Sequence, residues 1–226
     1  MSAPQQVLFG INQNQDSTLL TGILAYWKFD ESSGNATDSS GNSETLTNIG
    51  TMTFVSGKIN NGIQSASGKN MQKTADNIGL SSGGDYSWSF WVNFSAFTSG
   101  YVFRHRTASG ANRDNLVYVS GSGEVRMYAS GNEITDSGLS TSTWYHFVVT
   151  KTGTTFELFT NTVSQGTTTQ GTSGAALNQI SIGGDIDGST SLLTGVIDEF
   201  GVWDRALSSA EISELYNGGS GNQYPF

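Results

Sequence analysis

Gly195-Val196-Ile197-Asp198-Glu199-Phe200-Gly201-Val202-Trp203-Asp204-Arg205-Ala206-Leu207, running into Ser208-Ser209-Ala210-Glu211-Ile212, is the stretch on which the fold turns. Its first part is rich in β-branched and aromatic residues, the mark of a strand, and a strand is predicted over Leu193–Asp204. Ser208 followed three positions later by Glu211 is a capping-box pattern. Ile212, Leu215 and Tyr216 then form one apolar stripe, and Gly218 supplies a stop, so a short helix is predicted over Ser208–Asn217. The natural partner for this strand lies at the other end of the chain, in Gly22–Glu31. There Ala25, Trp27 and Phe29 alternate with Tyr26, Lys28 and Asp30, the period of a half-buried strand. If the two segments pair, the chain closes on itself.

Between these ends the pattern is strand after strand. Tyr86, Trp88, Phe90, Val92 and Phe94 share one face of a long strand, and Ser87, Ser89, Trp91 and Asn93 share the other. Trp91 stands out on that polar face. Tyr101–Arg106, Asn115–Ser120 and Glu124–Ala129 read as a meander, Thr143–Lys151 and Thr155–Thr160 as a hairpin, and Met52–Val55, Gly62–Ala66 and Asn178–Ile182 as shorter strands. The 226 residues contain 29 Gly, only 2 Pro and 13% charged residues, a composition of many strands joined by many turns. One all-β sandwich over residues 22–226, preceded by a polar arm over residues 1–21, is the simplest organisation. The tail from Gly219 reads as coil.

The net charge of −9 argues against nucleic acid as a partner, because phosphate binding needs a basic surface. The absence of cysteine excludes disulfides, thiolate metal sites and cysteine catalysis. No apolar run is long enough to span a membrane. Residues 1–20 lack the basic and apolar regions of a signal peptide.

Ala25-Tyr26-Trp27-Lys28-Phe29-Asp30-Glu31 with Asp38-Ser39-Ser40-Gly41-Asn42 resembles the opening of bacterial and viral laminin-G-like domains. Tyr86-Ser87-Trp88-Ser89-Phe90-Trp91-Val92 and Trp144-Tyr145-His146-Phe147-Val148 are similar to that family's central strands. Gly195–Phe200 with Arg205-Ala206-Leu207-Ser208 and Glu211-Ile212 resembles its ending. The resemblance covers roughly Gly22 to Gly218. It implies the concanavalin A-like jelly-roll sandwich of two antiparallel sheets, with neighbouring terminal strands. It also implies a non-enzymatic module that binds glycans or proteins, often with calcium.

Calcium needs six to eight hard oxygen ligands. Asp30 at the end of the first strand, Asp38 and Asn42 in the following loop, and Asp198 in the last strand would converge if the terminal strands pair. Asp185 and Asp187, spaced D-x-D before Gly188, form a second candidate pair. Strict alternation sends Glu199 to the opposite face from Asp198, so the two are not expected to share an ion. The same argument excludes them as a glycosidase pair, which needs two carboxylates flanking one sugar. No Glu-x-Asp-x-x-Glu strand motif, serine elbow or phosphate loop is present, so no enzyme activity is expected. Sugar binding needs exposed aromatic platforms with polar neighbours. Trp91, Tyr101, Tyr118, Tyr128 and Trp144 are candidate platforms, with Arg104, Arg113, Asn115 and Asn132 as polar partners. Trp27, Trp88 and Trp203 are expected in the core.

The expected function is a binding or adhesion module, recognising a glycan or surface protein, at an extracellular or virion surface. The alternative is a structural decoration protein of a phage capsid or tail, held to its assembly partner by residues 1–20. A glycoside hydrolase ranks third.

Overall fold

A computed structural model describes residues 17–75, 77–107, 115–129, 131–170, 176–186 and 193–226. Among them are fifteen strands: β1 (Ile23–Trp27), β2 (Thr47–Ile49), β3 (Thr53–Ser56), β4 (Asn61–Gln64), β5 (Asn70–Lys73), β6 (Tyr86–Ala96), β7 (Gly100–Arg106), β8 (Asn115–Val119), β9 (Val125–Ala129), β10 (Asn132–Asp136), β11 (Trp144–Thr152), β12 (Thr155–Thr160), β13 (Val163–Thr169), β14 (Gln179–Ile182) and β15 (Thr194–Trp203). One helix, α1 (Ser209–Tyr216), follows β15. Its capping box is made as the sequence predicts: the Glu211 backbone N–H donates to Ser208 Oγ, and the Glu211 carboxylate accepts from the Ser208 N–H.

The strands form two antiparallel sheets. The eight-stranded sheet runs β13-β12-β11-β6-β15-β4-β3, with β1 also pairing β15. The seven-stranded sheet runs β10-β9-β8-β7-β14-β5-β2. Four elements, β2, β5, β10 and β13, escape a reading by period, because they are short or rich in Thr, Asn and Gln and carry few apolar residues to alternate.

The closing pair forms, with Ala25 opposite Val202, Tyr26 opposite Gly201 and Trp27 opposite Phe200. It is shorter than the alternation suggests, because Phe29 takes a positive φ of 59° and turns the chain out of the strand. β15 runs along β6 on one side. On its other side it pairs first with β4, through Val196 and Ile197, and then with β1.

Trp27, Trp88, Phe90, Phe103, Phe147 and Phe200 fill the space between the sheets. Phe90 stacks on Phe200 at 5.4 Å, and Phe103 meets the same ring edge-on at 5.2 Å. A second apolar cluster covers the outer face of the eight-stranded sheet: Tyr26, Val148 and Trp203 lie under Leu19, Leu207, Ile212 and Leu215. Both faces of β6 are therefore buried, which is why Ser87 and Ser89 on its polar face are inaccessible. Ser87 Oγ donates to Arg205 O at 2.8 Å and accepts from the Leu207 N–H.

Residues 17–21, read with the arm, lie against the sandwich. Leu19 is fully buried and its carbonyl accepts from Trp203 Nε1 at 2.8 Å. The Arg205 guanidinium donates to Thr21 O, Thr18 O and both Glu211 carboxylate oxygens. Charge-assisted bonds of this kind contribute about 1.5–3 kcal/mol each when enclosed, and less here because Arg205 is partly exposed. Arg205→Ala is expected to lower stability by about 2 kcal/mol and to open residues 17–21 to limited proteolysis. Thermal unfolding with a protease time course measures both, and unchanged protease resistance would show that Leu19 alone holds the segment.

Candidate functional site

The eight-stranded sheet is covered on its outer face by α1 and the two terminal segments, so an accessible sheet face must be sought on the other layer. Along β7, β8 and β9 the inward residues are Val102, Phe103, Val117, Val119, Val125 and Met127, all in the core. The alternate positions face outward. Register sets Tyr101 directly opposite Tyr118, Tyr118 opposite Arg126, Leu116 opposite Tyr128, and Tyr128 opposite Glu133. Opposite residues in antiparallel strands stand about 4.5–5.5 Å apart at Cβ, so these side chains form one continuous patch. A bulge between Tyr101 and Phe103 turns Val102 and Phe103 both inward and leaves Tyr101 facing out.

The result is an open pocket of about 390 Å³ lined by Ser99, Gly100, Tyr101, Leu116, Tyr118, Tyr128 and Glu133. The three tyrosines are half-buried, so each keeps a ring face or hydroxyl in reach of solvent. Arg104 lies 5.6 Å from the Tyr101 ring and Arg126 lies 5.9 Å from the Tyr118 ring. Arg126 donates to Tyr118 Oη, to Glu124 Oε2 at 2.6 Å and to Glu133 Oε1 at 3.2 Å. Its guanidinium holds the Glu124 carboxyl below the usual range, with Ser122 adding to the effect.

Of the sequence candidates, Tyr101, Tyr118 and Tyr128 come together in this pocket, with Arg104 beside it. Trp91 does not. It is 2% exposed, stacked on Tyr216 of α1 at 5.7 Å and close to His146, with Lys58 Nζ over its ring. The helix fills the space where a sugar would have to lie. Trp144 is half-buried at the start of β11, on the other sheet. Asn115 is buried and donates to Tyr86 Oη, Asn132 donates to Thr169 O, and Arg113 lies outside the described residues. Trp27, Trp88 and Trp203 are fully buried, as expected. Sequence reasoning missed Leu116 and Glu133 as pocket residues, and Arg126 as the cation beside Tyr118. Placing β10 would have found Glu133, since its register with β9 follows from the short turn at Gly131.

The metal candidates fall into three groups. Asp38 Oδ1 accepts from the Tyr26 and Ser40 N–H groups, and Oδ2 accepts from Ser40 Oγ and the Glu44 N–H. Asn42 Nδ2 donates to the Ile23 and Leu24 carbonyls. Both residues therefore tie the first loop to β1. Asp185 is held bidentately by Arg104 Nη1, at 2.9 and 2.7 Å, and Asp187 lies outside the described residues.

Asp30 and Asp198 do approach one rim, and Glu199 joins them. The register slips between Asp198 and Gly201, and Glu199 sits at φ 51°, so β15 carries a bulge there. Ile197 and Phe200 both point into the core, leaving Asp198 and Glu199 together on the outer side. The expectation of opposite faces is thus overturned: alternation fails where one strand gains a residue.

Asp198 Oδ2 accepts from the Lys58 and Ile59 N–H groups, at 2.7 and 2.9 Å. Glu199 Oε2 accepts from Tyr26 Oη at 2.6 Å. Gln223 Nε2 donates to both Glu199 Oε1 and Asp30 Oδ2. Burial, reinforced by the charge of Glu199, pushes Asp198 up to about 9 against the pull of its N–H donors. Burial likewise pushes Glu199 up to about 7, with Tyr26 and Gln223 opposing.

Among the described candidates, the carboxylate oxygens of Asp30, Asp38, Asp185 and Asp198 each accept from N–H or O–H donors, so these four do not present a free oxygen set for the ion. Among the described residues no cluster of three or more acidic or histidine ligands is arranged for a metal. EDTA is expected to leave the melting temperature unchanged, and a drop of several degrees would reinstate a structural calcium.

Ser89 Oγ and His146 Nε2 are 2.8 Å apart, the spacing of a nucleophile–base pair, but both are buried and His146 Nδ1 has no orienting partner. Burial pushes the His146 imidazole down to about 3, so it is neutral at physiological pH.

Two packed antiparallel sheets with a tyrosine-lined outer face define a lectin-like jelly roll. Residues 66–213, well over half of the chain, match the laminin G model of the concanavalin A-like lectin/glucanases superfamily, and the chain belongs to that family. No curated protein sequence matches it. Similar solved structures include domain 4 of the extracellular GH43 arabinanase AbnA from Geobacillus stearothermophilus, in complex with arabinotriose. That likeness is at 20% identity and TM-score 0.64, over 85% of this chain and 97% of that one. The botulinum neurotoxin serotype D binding domain matches at 14% identity and TM-score 0.68, over 87% of this chain and 52% of that one. Trypanosoma rangeli sialidase matches at 12% identity and TM-score 0.69, over 89% of this chain and 34% of that one. The chain thus spans about half of the toxin domain and a third of the sialidase. At these identities the likeness is one of fold, which binding domains and glycosidases share.

Proposed function

We propose that the chain is a non-enzymatic saccharide-binding module at an extracellular or virion surface, and that its site is the tyrosine pocket of the seven-stranded sheet. The observation that carries this reading is the convergence of Tyr101, Tyr118 and Tyr128 on a sheet face that no helix covers among the described residues. Sugar C–H faces pack on aromatic rings, while hydroxyls bond to phenol, serine and carboxylate oxygens, and the pocket offers both. An oligosaccharide complex of a similarly folded domain adds support by analogy.

Glycoside hydrolysis would call for a carboxylic acid of raised pKa beside the pocket. Of the carboxyls raised by burial, Asp198 and Glu199 lie on the other sheet, and Asp136 of β10 shares the inward face of its strand with Ile134, where it accepts from Thr160 Oγ1; Arg126 draws Glu124 downward. This chemistry favours binding over catalysis.

Tyr118→Ala is expected to weaken oligosaccharide binding by 10- to 100-fold or more, since stacking contacts and phenol hydrogen bonds are each worth on the order of 1 kcal/mol or more. The wild type is screened on a glycan array, and calorimetry on the hits compares it with the variant. Equal affinity in the two proteins would remove the pocket from consideration.

A second reading, attachment to a larger assembly such as a phage capsid or tail, draws on one feature. Residues 17–21 enter on the outer face of the eight-stranded sheet, opposite the pocket. An anchor there would present the pocket outward. Because Leu19 belongs to the fold, deletion should stop at residue 16, and retained particle association after that deletion would reject the anchor.

A further inference from the structure

The cations beside the tyrosines are already committed. Arg104 gives both bonds of its Nη1 to Asp185, a buried carboxylate. Arg126 lies between Glu124 and Glu133. The first pair is neutral. The second set, one guanidinium and two carboxylates, carries a net charge of −1, and its Glu133 lines the pocket. Among the described residues no Lys or Arg lines the pocket, and the whole chain carries −9.

An anionic sugar entering here has two options, and both are unfavourable. It can approach Glu133 with like charge facing like charge. Alternatively it can capture Arg126 or Arg104, leaving Glu124, Glu133 or Asp185 without its partner, and for buried Asp185 that loss is severe. A neutral sugar meets neither obstacle, and its hydroxyls can donate to Glu133.

Resting on the saccharide-binding reading above, we propose that the pocket selects uncharged saccharides, and that Glu133, with Glu124 behind it, is the determinant that excludes acidic ones. The carboxylates act as a charge filter built on the same guanidinium that orders the Tyr118 hydroxyl.

The test uses matched probes that differ chiefly in charge, such as oligogalacturonate against its methyl-esterified form and sialyllactose against its methyl ester, titrated into the full chain by calorimetry at low and at physiological salt. The wild type is expected to favour the neutral member on the order of tenfold at low salt, with the gap narrowing as salt screens it. In Glu133→Lys, and more weakly in Glu133→Gln, the acidic-to-neutral affinity ratio is expected to rise on the order of tenfold. Tyr118→Ala serves as the site control.

Acidic probes that bind the wild type as well as neutral ones, with binding lost in Tyr118→Ala, would overturn the filter and leave the pocket standing. An unchanged ratio in both Glu133 variants would overturn the role of Glu133. If neither member of any pair, nor any other saccharide on the array, binds the folded wild type, the saccharide reading itself fails and takes the filter with it.

Discussion

Asp198→Ala is expected to lower the unfolding free energy by about 3–5 kcal/mol. Asp198 is fully buried at the point where β15 changes partner from β4 to β1. Its Oδ2 receives the N–H groups of Lys58 and Ile59, and its Oδ1 receives that of Glu199. Removing the carboxyl orphans three backbone donors at once, and a buried donor left unsatisfied costs about 1–3 kcal/mol. The turn has little room to adapt. A Cβ on Gly57 would stand 2.5 Å from Asp198 Oδ2, so the backbone is already drawn tightly round the carboxylate. Asp198→Asn keeps one acceptor oxygen and should cost less, about 1–2 kcal/mol. Urea unfolding of the two variants is the measurement. Equal, small losses would mean that water replaces the carboxylate and that the strand junction does not depend on it.

Glu199→Gln is expected to remove a pH dependence of about 3 kcal/mol between pH 4.5 and 7. The carboxyl rises from an ordinary value of 4.5 to about 7 on folding, chiefly through burial, with nearby Asp30 adding to it while Tyr26, Gln223 and Lys28 oppose. In this interval the folded state binds a proton that the unfolded state has released. The contribution is therefore fully present below pH 4.5 and is lost as pH rises through 7. Asp198, raised to about 9, extends the decline toward alkaline pH. His146 works in the opposite sense: lowered to about 3, it withdraws stability as pH falls below 6.5. His146 is common to both proteins, and Asp198, which the Glu199 charge helps to raise, stays protonated up to about 9, so between pH 5 and 8 the difference between wild type and Glu199→Gln reports the Glu199 carboxyl. Denaturant melts at pH 5, 6, 7 and 8 provide the curve, and parallel curves for the two proteins would refute the assignment. The consequence is local as well as global. Gln223 bridges Glu199 and Asp30, and Tyr224 and Phe226 pack on Tyr26, so ionisation of Glu199 acts directly on the seat of the C-terminal segment.

The ends of the domain were legible in the chain because their signals are local. Alternation in Ala25–Phe29 and the Ser208/Glu211 capping box each bring out a physical preference within one or two turns of backbone. The tyrosines could be named as platforms, since Tyr rings on strands of a small-residue protein are natural contact surfaces. Trp91 carries the same local signature and lies elsewhere, buried under Tyr216 of a helix more than a hundred residues away in sequence. Asp198 and Glu199 show the same limit. A non-glycine bulge at φ 51° has no sequence marker, and it alone turned two supposedly opposed carboxylates to one side.

By itself the sequence determined an all-β sandwich, the C-terminal helix and the identity of most core residues, because side-chain period and capping chemistry act over short range; the pairing of the terminal strands came from the resemblance to laminin-G-like domains. Only the tertiary structure decided which sheet face stays open, how β7 to β10 register to gather Tyr101, Tyr118, Tyr128 and Glu133, and which charges are spent on one another. Those outcomes depend on what packs across each strand, and a strand's own residues record which of them share a face but not what covers it.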